Sequence, residues 1–344
     1  MAIETEQPRF DFNTYPPVGE TDWGYVQAVA QVRAIEDGLF SKQFLTELAN
    51  SRNFKELCDM LAGTDYPITA SMTEEEIEQL LLSKRVETRK LFEQLINNEQ
   101  IAILFRARVD FANLRLAIRR LVTEKPLGKD YLPQGNVAPD QFELAFEQED
   151  YSGLPQFLQD DVEAAVLAYY KNKNVRDIDF EIERAESQFM TENAAKIGNV
   201  FLIELFRMQI DLTNIRTMMR QKLRNIDERD AYLAGGYIEI SRLVQCMDVG
   251  YEALAAHFYA TPYYHLVESG AAYLQKNNSF LKLEAGCDEH LLGYLKTTLY
   301  ISAGIQPIIA YLLFKEHEIR MVRLVTAGNK ALIKNDTMLD RIVV

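Results

Sequence analysis

The sequence predicts an all-α protein, and three observations predict it. The chain has 16 glycines and 10 prolines in 344 residues, below the usual share of about 12%, which favours long uninterrupted elements over many tight turns. Apolar residues recur at three- and four-residue spacing along most of its length. No segment shows the strict alternation of a half-buried strand.

The opening, MAIETEQPRFDFNTYPP, is acidic and polar without an apolar run, so it is not a signal peptide and residues 1–22 are expected to form a flexible arm. From Tyr25, Val26, Val29 and Val32, with Ala30 and Ile35, mark one helical face. After a break at Gly38, Phe44, Leu45 and Leu48 mark another. Thr73 with Glu76 three residues on has capping-box spacing, and no glycine or proline intervenes between Met72 and Leu121, which predicts one or two long helices. Leu154 to Leu223 repeats the style, set off by Gly153 and Pro155 and weakly broken at Gly198. Leu299 to Phe314 approaches membrane length, but Ser302, Gly304, Gln306 and Pro307 interrupt it and KEHEIR follows. It reads as a buried helix, with a spanning segment as the alternative.

Charge narrows the function classes. With 37 basic and 51 acidic side chains the formal charge is −14, which opposes attraction to nucleic acid or anionic lipid. A content of 48% apolar and 26% charged residues is globular, and at roughly 150 residues per domain the chain should hold two or three cores. Cys58, Cys246 and Cys287 are odd in number and widely spaced, giving neither a disulfide framework nor a zinc motif and fitting a reducing cytoplasm.

The most informative feature is an internal repeat. Residues 106–119, RARVDFANLRLAIR, match residues 207–220, RMQIDLTNIRTMMR, at Arg106/Arg207, Asp110/Asp211, Asn113/Asn214, Arg115/Arg216 and Arg119/Arg220. The same register aligns YLPQGNVAPDQF (131–142) with YLAGGYIEISRL (232–243). A third, worn copy has Glu318, Met321 and Arg323 where the others have Asp, Asn and Arg, and Phe314 in place of the leading Arg. Leu39 and Phe44 keep the spacing of Val137/Phe142 and Ile238/Leu243, so each unit should open with a short helix and close with a long one. The predicted division is an arm over 1–22 and helical units over 23–125, 126–225 and 226–344, each of about 100 residues.

On a helix Arg106, Asp110 and Asn113 share one face, as do Arg207, Asp211 and Asn214. Surface ion pairs four residues apart would explain a single copy; recurrence with Asn in place favours residues that fix packing or line a polar interior. Gly135 and Gly236 read as turn glycines with positive φ. Enzyme patterns are weak. There is no phosphate loop, no GxSxG and no HExxH around His257, His265, His290 or His317. No metal or other cofactor is expected. Asp160, Asp161 and Glu163 fail the DDxxD spacing of prenyl-chain enzymes and read as a solvated helix start. Cys58 reads as core, and AHFYATPYYHL (256–266) as core or protein contact.

Four segments together resemble the C subunit of V/A-type rotary ATPases, the counterpart of the d subunit of the vacuolar enzyme: residues 25–66, DFANLRLAIR (110–119), GGYIEISRL (235–243) and PIIAYLLFKEHEIRMVRLVTAG (307–328). The likeness spans about residues 23 to 330. It implies an all-helical, non-catalytic central-stalk subunit whose three units stand around a pseudo-threefold axis as a funnel. By the same resemblance, the funnel caps the membrane rotor ring of small proteolipid subunits on its cytoplasmic side and receives the central shaft, passing torque between ATP hydrolysis or synthesis and H+ or Na+ transport. No span of its own and no nucleic acid are implied. The resemblance puts Asp110, Asn113, Arg115, Asp211, Asn214, Arg216, Glu318 and Arg323 near the axis, as shaft or inter-unit contacts. A helical-repeat scaffold for an unrelated soluble protein is the alternative, and an all-helical enzyme a third reading.

Overall fold

The computed structural model describes residues 15–123 and 131–343, and every regular element among them is helical. In chain order these are α1 (Val26–Glu36), α2 (Lys42–Ala49), α3 (Phe54–Leu61), α4 (Glu74–Leu95), α5 (Glu99–Val122), α6 (Pro139–Glu147), α7 (Gln156–Asn172) and α8 (Val175–Ile197). There follow α9 (Val200–Arg224), α10 (Ile240–Gln245), α11 (Tyr251–Leu254), α12 (Tyr264–Asn277), α13 (Leu281–Lys296), α14 (Gln306–Lys330) and α15 (Asn335–Leu339).

Local chemistry explains the boundaries. The Thr73 capping box closes in both directions: the Glu76 amide donates to Thr73 Oγ1 at 3.2 Å and the Thr73 amide to Glu76 Oε2 at 2.7 Å. The stretch to Leu121 is two helices, because the Asn98 side-chain oxygen accepts from the Gln100 amide at 3.0 Å and starts α5 afresh. Leu154 to Leu223 is three. Gly198 ends α8 in the left-handed region at φ 71°, as its residue type suggests. The other break is at Lys173, φ 54°, followed by the N-cap Asn174.

Leu299 to Phe314 is not one helix. Thr297–Tyr300 is a short 3-10 turn, Ile301 is extended, and Gly304 takes φ 147°, a conformation that side chains rarely adopt. The helix α14 begins only at Gln306, with Pro307 in its first turn, where a missing N–H costs nothing. Its buried residues lie on all sides, from Ile308 and Ile309 to Lys315, His317 and Glu318, so it is a core helix. Among the described residues no helix is long and apolar enough to cross a membrane.

By packing, the described residues form two compact units. One comprises residues 96–210 and 230–235. Here α5 packs on α6, α7 and α8, and its face of Ala107, Phe111, Leu114 and Ile118 joins Phe142, Leu158, Ile178 and Ile182 in one core. Phe157 and Phe189 stack with ring centroids 4.3 Å apart over Phe111. The other comprises the described residues up to 95, 211–229 and those from 236 onward. There α14 packs on α1, α2, α3, α4, α13 and α15, and Ile319, Val322 and Val325 meet Leu45, Leu48, Leu57, Leu61 and Tyr66. Cys58 lies in this core, as its helical spacing predicts. This division follows contacts and divides α9 between Ile210 and Asp211, whereas the division of the sequence follows recurrence. The sequence boundary between 125 and 126 lies outside the described residues.

Of the arm expected over 1–22, residues 1–14 also lie outside them. Residues 15–22 are held against α13 and the start of α14: Gln306 Nε2 donates to the carbonyls of Val18 and Glu20, and the Asp22 amide donates to Ala303 O.

Candidate functional site

The long helices α5, α9 and α14 each carry one buried carboxylate at the repeated position: Asp110 and Asp211 are 0% exposed and Glu318 4%. A buried carboxylate must find donors, and each finds them at the start of a short helix. Asp110 Oδ1 accepts the Val137 amide at 3.1 Å, and Oδ2 accepts the amide and side chain of Asn136 at 3.0 and 2.8 Å. Asp211 Oδ1 accepts the Ile238 amide at 3.0 Å, and Oδ2 accepts the Tyr237 amide at 3.1 Å and the Tyr263 hydroxyl at 2.9 Å. Glu318 Oε2 accepts the Phe40 amide at 2.5 Å, and Oε1 accepts the Tyr66 hydroxyl and Lys315 Nζ, each at 2.7 Å.

Val137, Ile238 and Phe40 occupy one structural position, immediately before the N-caps Ala138, Glu239 and Ser41 of α6, α10 and α2. Every carboxylate therefore fixes the entry of a short helix. This corrects the sequence register by one residue: Phe40 and Leu45, rather than Leu39 and Phe44, correspond to Val137/Phe142 and Ile238/Leu243. The apolar spacing is the same in either frame, and only the backbone bond distinguishes them. The connectivity is cyclic: α5 holds the entry to α6, α9 the entry to α10, and α14 the entry to α2.

The turn glycine also needs correction. Positive φ falls one residue earlier than expected, at Gln134 (72°) and Gly235 (98°). Gly135 is needed for close approach instead, since a Cβ there would collide with Asp110 Oδ1.

Asn113 pairs with Leu132 as one backbone group pairs with another, Nδ2 donating to Leu132 O at 2.9 Å and Oδ1 accepting its amide at 2.8 Å. Asn214 is likewise buried. Met321 at the third position packs in the apolar core with Leu45 and Leu61.

The arginines occupy a second stripe. Arg115 Nε lies 3.8 Å from Asp179 on α8, which Arg119 also binds. Arg216 Nε reaches Glu284 on α13 at 2.7 Å, and Arg220 binds the same carboxylate at 2.8 Å. Arg216 also stands 3.7 Å from Asp288. Arg323 meets Glu78 at 2.7 Å with both side chains half exposed, at 48% and 52%. Arg106 binds Glu99 and its charge also acts on Asp110 four residues on, while Arg207 lies 3.4 Å from Glu204.

Burial sets the proton chemistry. It pushes Asp211 up to about 7 against the opposing bonds from Ile238 and Tyr263, and raises Asp110 against those from Val137 and Asn136. For Lys315 burial disfavours the ammonium, but Glu318 and Asp65 outweigh it and its pKa stands above the ordinary lysine value. Burial raises Cys246 to about 11 and Cys287 to about 12, leaving protonated thiols, and lowers His290 to about 4. Asp161 is raised to about 6 by burial with help from Asp160 and Glu181, while Asp160 and Glu163 beside it are exposed, as the acidic sequence suggests. The aromatic segment 256–266 divides: Phe258 and Tyr263 are core, whereas Tyr259 is exposed. Among the described residues no group of three or more His, Cys, Asp or Glu could hold a metal ion.

Sequence reasoning missed Tyr66, Tyr263, Asp179, Glu284 and Lys315. A signal existed for the two tyrosines, which follow the equivalent positions Phe40 and Ile238 by 26 and 25 residues. Arg115 with Arg119, and Arg216 with Arg220, converge on carboxylates of other helices, which no spacing rule reveals.

The sequence model of the family described as ATP synthase (C/AC39) subunit matches residues 28–341. The C subunit of the A-type ATP synthase of Thermococcus kodakarensis is 23% identical over 318 residues, covering 86% of this chain and 83% of that protein. That of Methanobrevibacter smithii is 23% identical over 370 residues, covering 100% and 91%. The C subunit of the V-type sodium ATPase of Enterococcus hirae is 21% identical over 306 residues, covering 87% and 92%.

Proposed function

The chain belongs to the ATP synthase (C/AC39) subunit family, and from that premise we propose that it is the central-stalk subunit of a V/A-type rotary ATPase, seated on the membrane rotor ring and receiving the shaft. Membership makes it a structural rather than catalytic subunit of a rotary ATPase complex, with other ATPase subunits as partners. The proposal adds the position: cytoplasmic, peripheral to the membrane through a ring of small proteolipid subunits, with three units of about 100 residues around a pseudo-threefold axis as a funnel. Torque then passes through it between ATP hydrolysis or synthesis and the movement of H+ or Na+.

The observation that carries this reading is the cyclic set of buried carboxylates. A torque adaptor must hold one geometry under load, and closely packed helices with mutually satisfied polar groups do so better than mobile loops. Asp110, Asp211 and Glu318 each accept three hydrogen bonds in the interior, at least one of them from a backbone amide at the entry of a short helix. On this reading Asp110, Asn113, Asp211, Asn214 and Glu318 brace the fold, Arg115 and Arg216 tie neighbouring helices, and Arg323 is the member of the set most available to the shaft.

The test is affinity capture of the tagged chain from gently solubilised native membranes, with mass spectrometry of everything retained. Recovery of shaft subunits together with a small, very hydrophobic ring protein supports the proposal. Recovery of catalytic-head or peripheral-stalk subunits without the ring protein overturns the position, and a purely soluble partner favours the repeat-scaffold alternative.

A further inference from the structure

The segment Tyr15–Asp22 has no helix of its own, yet specific contacts hold it to α13 and the start of α14. The Tyr15 ring lies 5.4 Å from His290 and 6.0 Å from Tyr294. Gly293 makes room for it, since a Cβ there would collide with the Tyr15 hydroxyl. The Tyr294 hydroxyl donates to Pro17 O at 3.4 Å. Further along, the buried Gln306 side chain donates to Val18 O at 2.9 Å and Glu20 O at 3.0 Å, and Asp22 closes on Ala303.

Two parts of the fold meet under this segment. One is the corner from Thr297 to Gly304, where the chain turns from α13 into α14. Arg33 of α1, just beyond the segment, binds its carbonyls at Thr298 (2.7 Å) and Ile301 (3.2 Å). The other is the Asp211 site. His290 packs against two rings, Tyr15 and, at 4.8 Å, Tyr263, and Tyr263 is the residue that donates to Asp211. A continuous line of contacts thus runs Tyr15, His290, Tyr263, Asp211.

We propose that residues 15–22 are a strap with two separable attachments: its carbonyl end locks the 297–304 corner through Gln306, and its Tyr15 end locks the Asp211 latch on α10 through His290 and Tyr263. Undocking the strap loosens both elements while the Asp110 latch, in the other packing unit, keeps its bonds. The strap and its attachments involve one chain alone, so the inference stands or falls apart from the stalk assignment.

The chain carries its own reporter, because Trp23 at the strap's end is its single tryptophan and is 73% exposed. The experiment compares wild type, Tyr15→Ala and Gln306→Ala as full chains, by Trp23 fluorescence anisotropy and by hydrogen exchange with mass spectrometry. Tyr15→Ala is expected to lower the anisotropy and to speed exchange at Tyr237 and Ile238 on the order of tenfold, leaving Val137 unchanged. Gln306→Ala is expected to lower the anisotropy and speed exchange at Ile301, leaving Tyr237 and Ile238 unchanged. Lowered anisotropy without faster exchange at either site overturns the lock, as does unchanged anisotropy in both variants. Equal acceleration at Val137 and Ile238 overturns the separate attachments, and Gln306→Ala, which leaves the ring stack intact, guards against a general loss of folding in Tyr15→Ala.

Discussion

Glu318 Oε2 holds the Phe40 amide at 2.5 Å across 278 positions of sequence, so the last long helix fixes the entry of the first short helix that follows α1. All three partners of this carboxylate are donors, and one is the Lys315 ammonium. An amide at this position turns one acceptor into a donor facing a donor. Glu318→Gln should therefore cost about 3 kcal/mol, as when one member of a buried ion pair is removed. Asp65→Asn, which loses the same lysine from a carboxylate that is 61% exposed, should cost less than about 1 kcal/mol. Denaturant titration of both variants checks the difference; equal losses would mean that the exposed pair supports Lys315 as much as the buried one.

Asp110 and Asp211 occupy the same repeat position but differ in how they can accommodate a proton. The partners of Asp110 are N–H groups, whereas Asp211 faces the Tyr263 hydroxyl, which can turn and accept. With the folded pKa of Asp211 raised to about 7 from an ordinary value near 3.8, the native state binds more protons than the unfolded state in that window. The contribution of this group is then fully present below the unfolded pKa and is lost as pH rises toward 7, by at most about 1.4 kcal/mol per pH unit. Stability measured from pH 5 to 8 should fall more steeply in wild type than in Asp211→Asn. Parallel curves would show that Asp211 stays ionised throughout.

Gly135→Ala tests a steric requirement with no charge change. The added methyl would collide with Asp110 Oδ1, which holds the Val137 amide. Either the carboxylate shifts and Val137 loses its acceptor, or the turn moves. Each route should cost about 1–3 kcal/mol. Ala at Gly63, where a Cβ meets nothing, should change stability by less than about 0.5 kcal/mol. Thermal midpoints of the two variants make the comparison.

Helices were legible in the sequence because an amphipathic face is written every three or four residues, as with Leu57, Cys58 and Leu61 on α3. The repeat exposed Asp110, Asp211 and Glu318 as one set before any contact was known. Their role was not legible. A buried carboxylate that caps a backbone amide and an exposed one that pairs with a nearby arginine have the same sequence spacing, and only burial separates them. The Lys173 break was missed because left-handed backbone at a lysine has no residue-type signature, whereas Gly198 has one. The helix start at Gln306 was masked by the apolar run on either side of Gly304.

Arg323 separates bracing from partner contact. Arg216 binds Glu284 and approaches the buried Asp288, so its role is accounted for within the chain. Arg323 meets Glu78 with both side chains half exposed, and such a pair contributes at most about 1 kcal/mol. On the proposed reading, this exposed cation at the repeated position, which contributes so little stability, is the member of the set most open to an acidic group on the shaft. Arg323→Ala should leave the denaturation midpoint nearly unchanged and weaken capture of purified shaft subunits, with the loss shrinking as salt is raised. Arg216→Ala should do the opposite, lowering stability by about 1 kcal/mol while the folded fraction captures the shaft as wild type does. If Arg323→Ala captures the shaft undiminished at low salt, the third copy of the repeat braces the fold and nothing more.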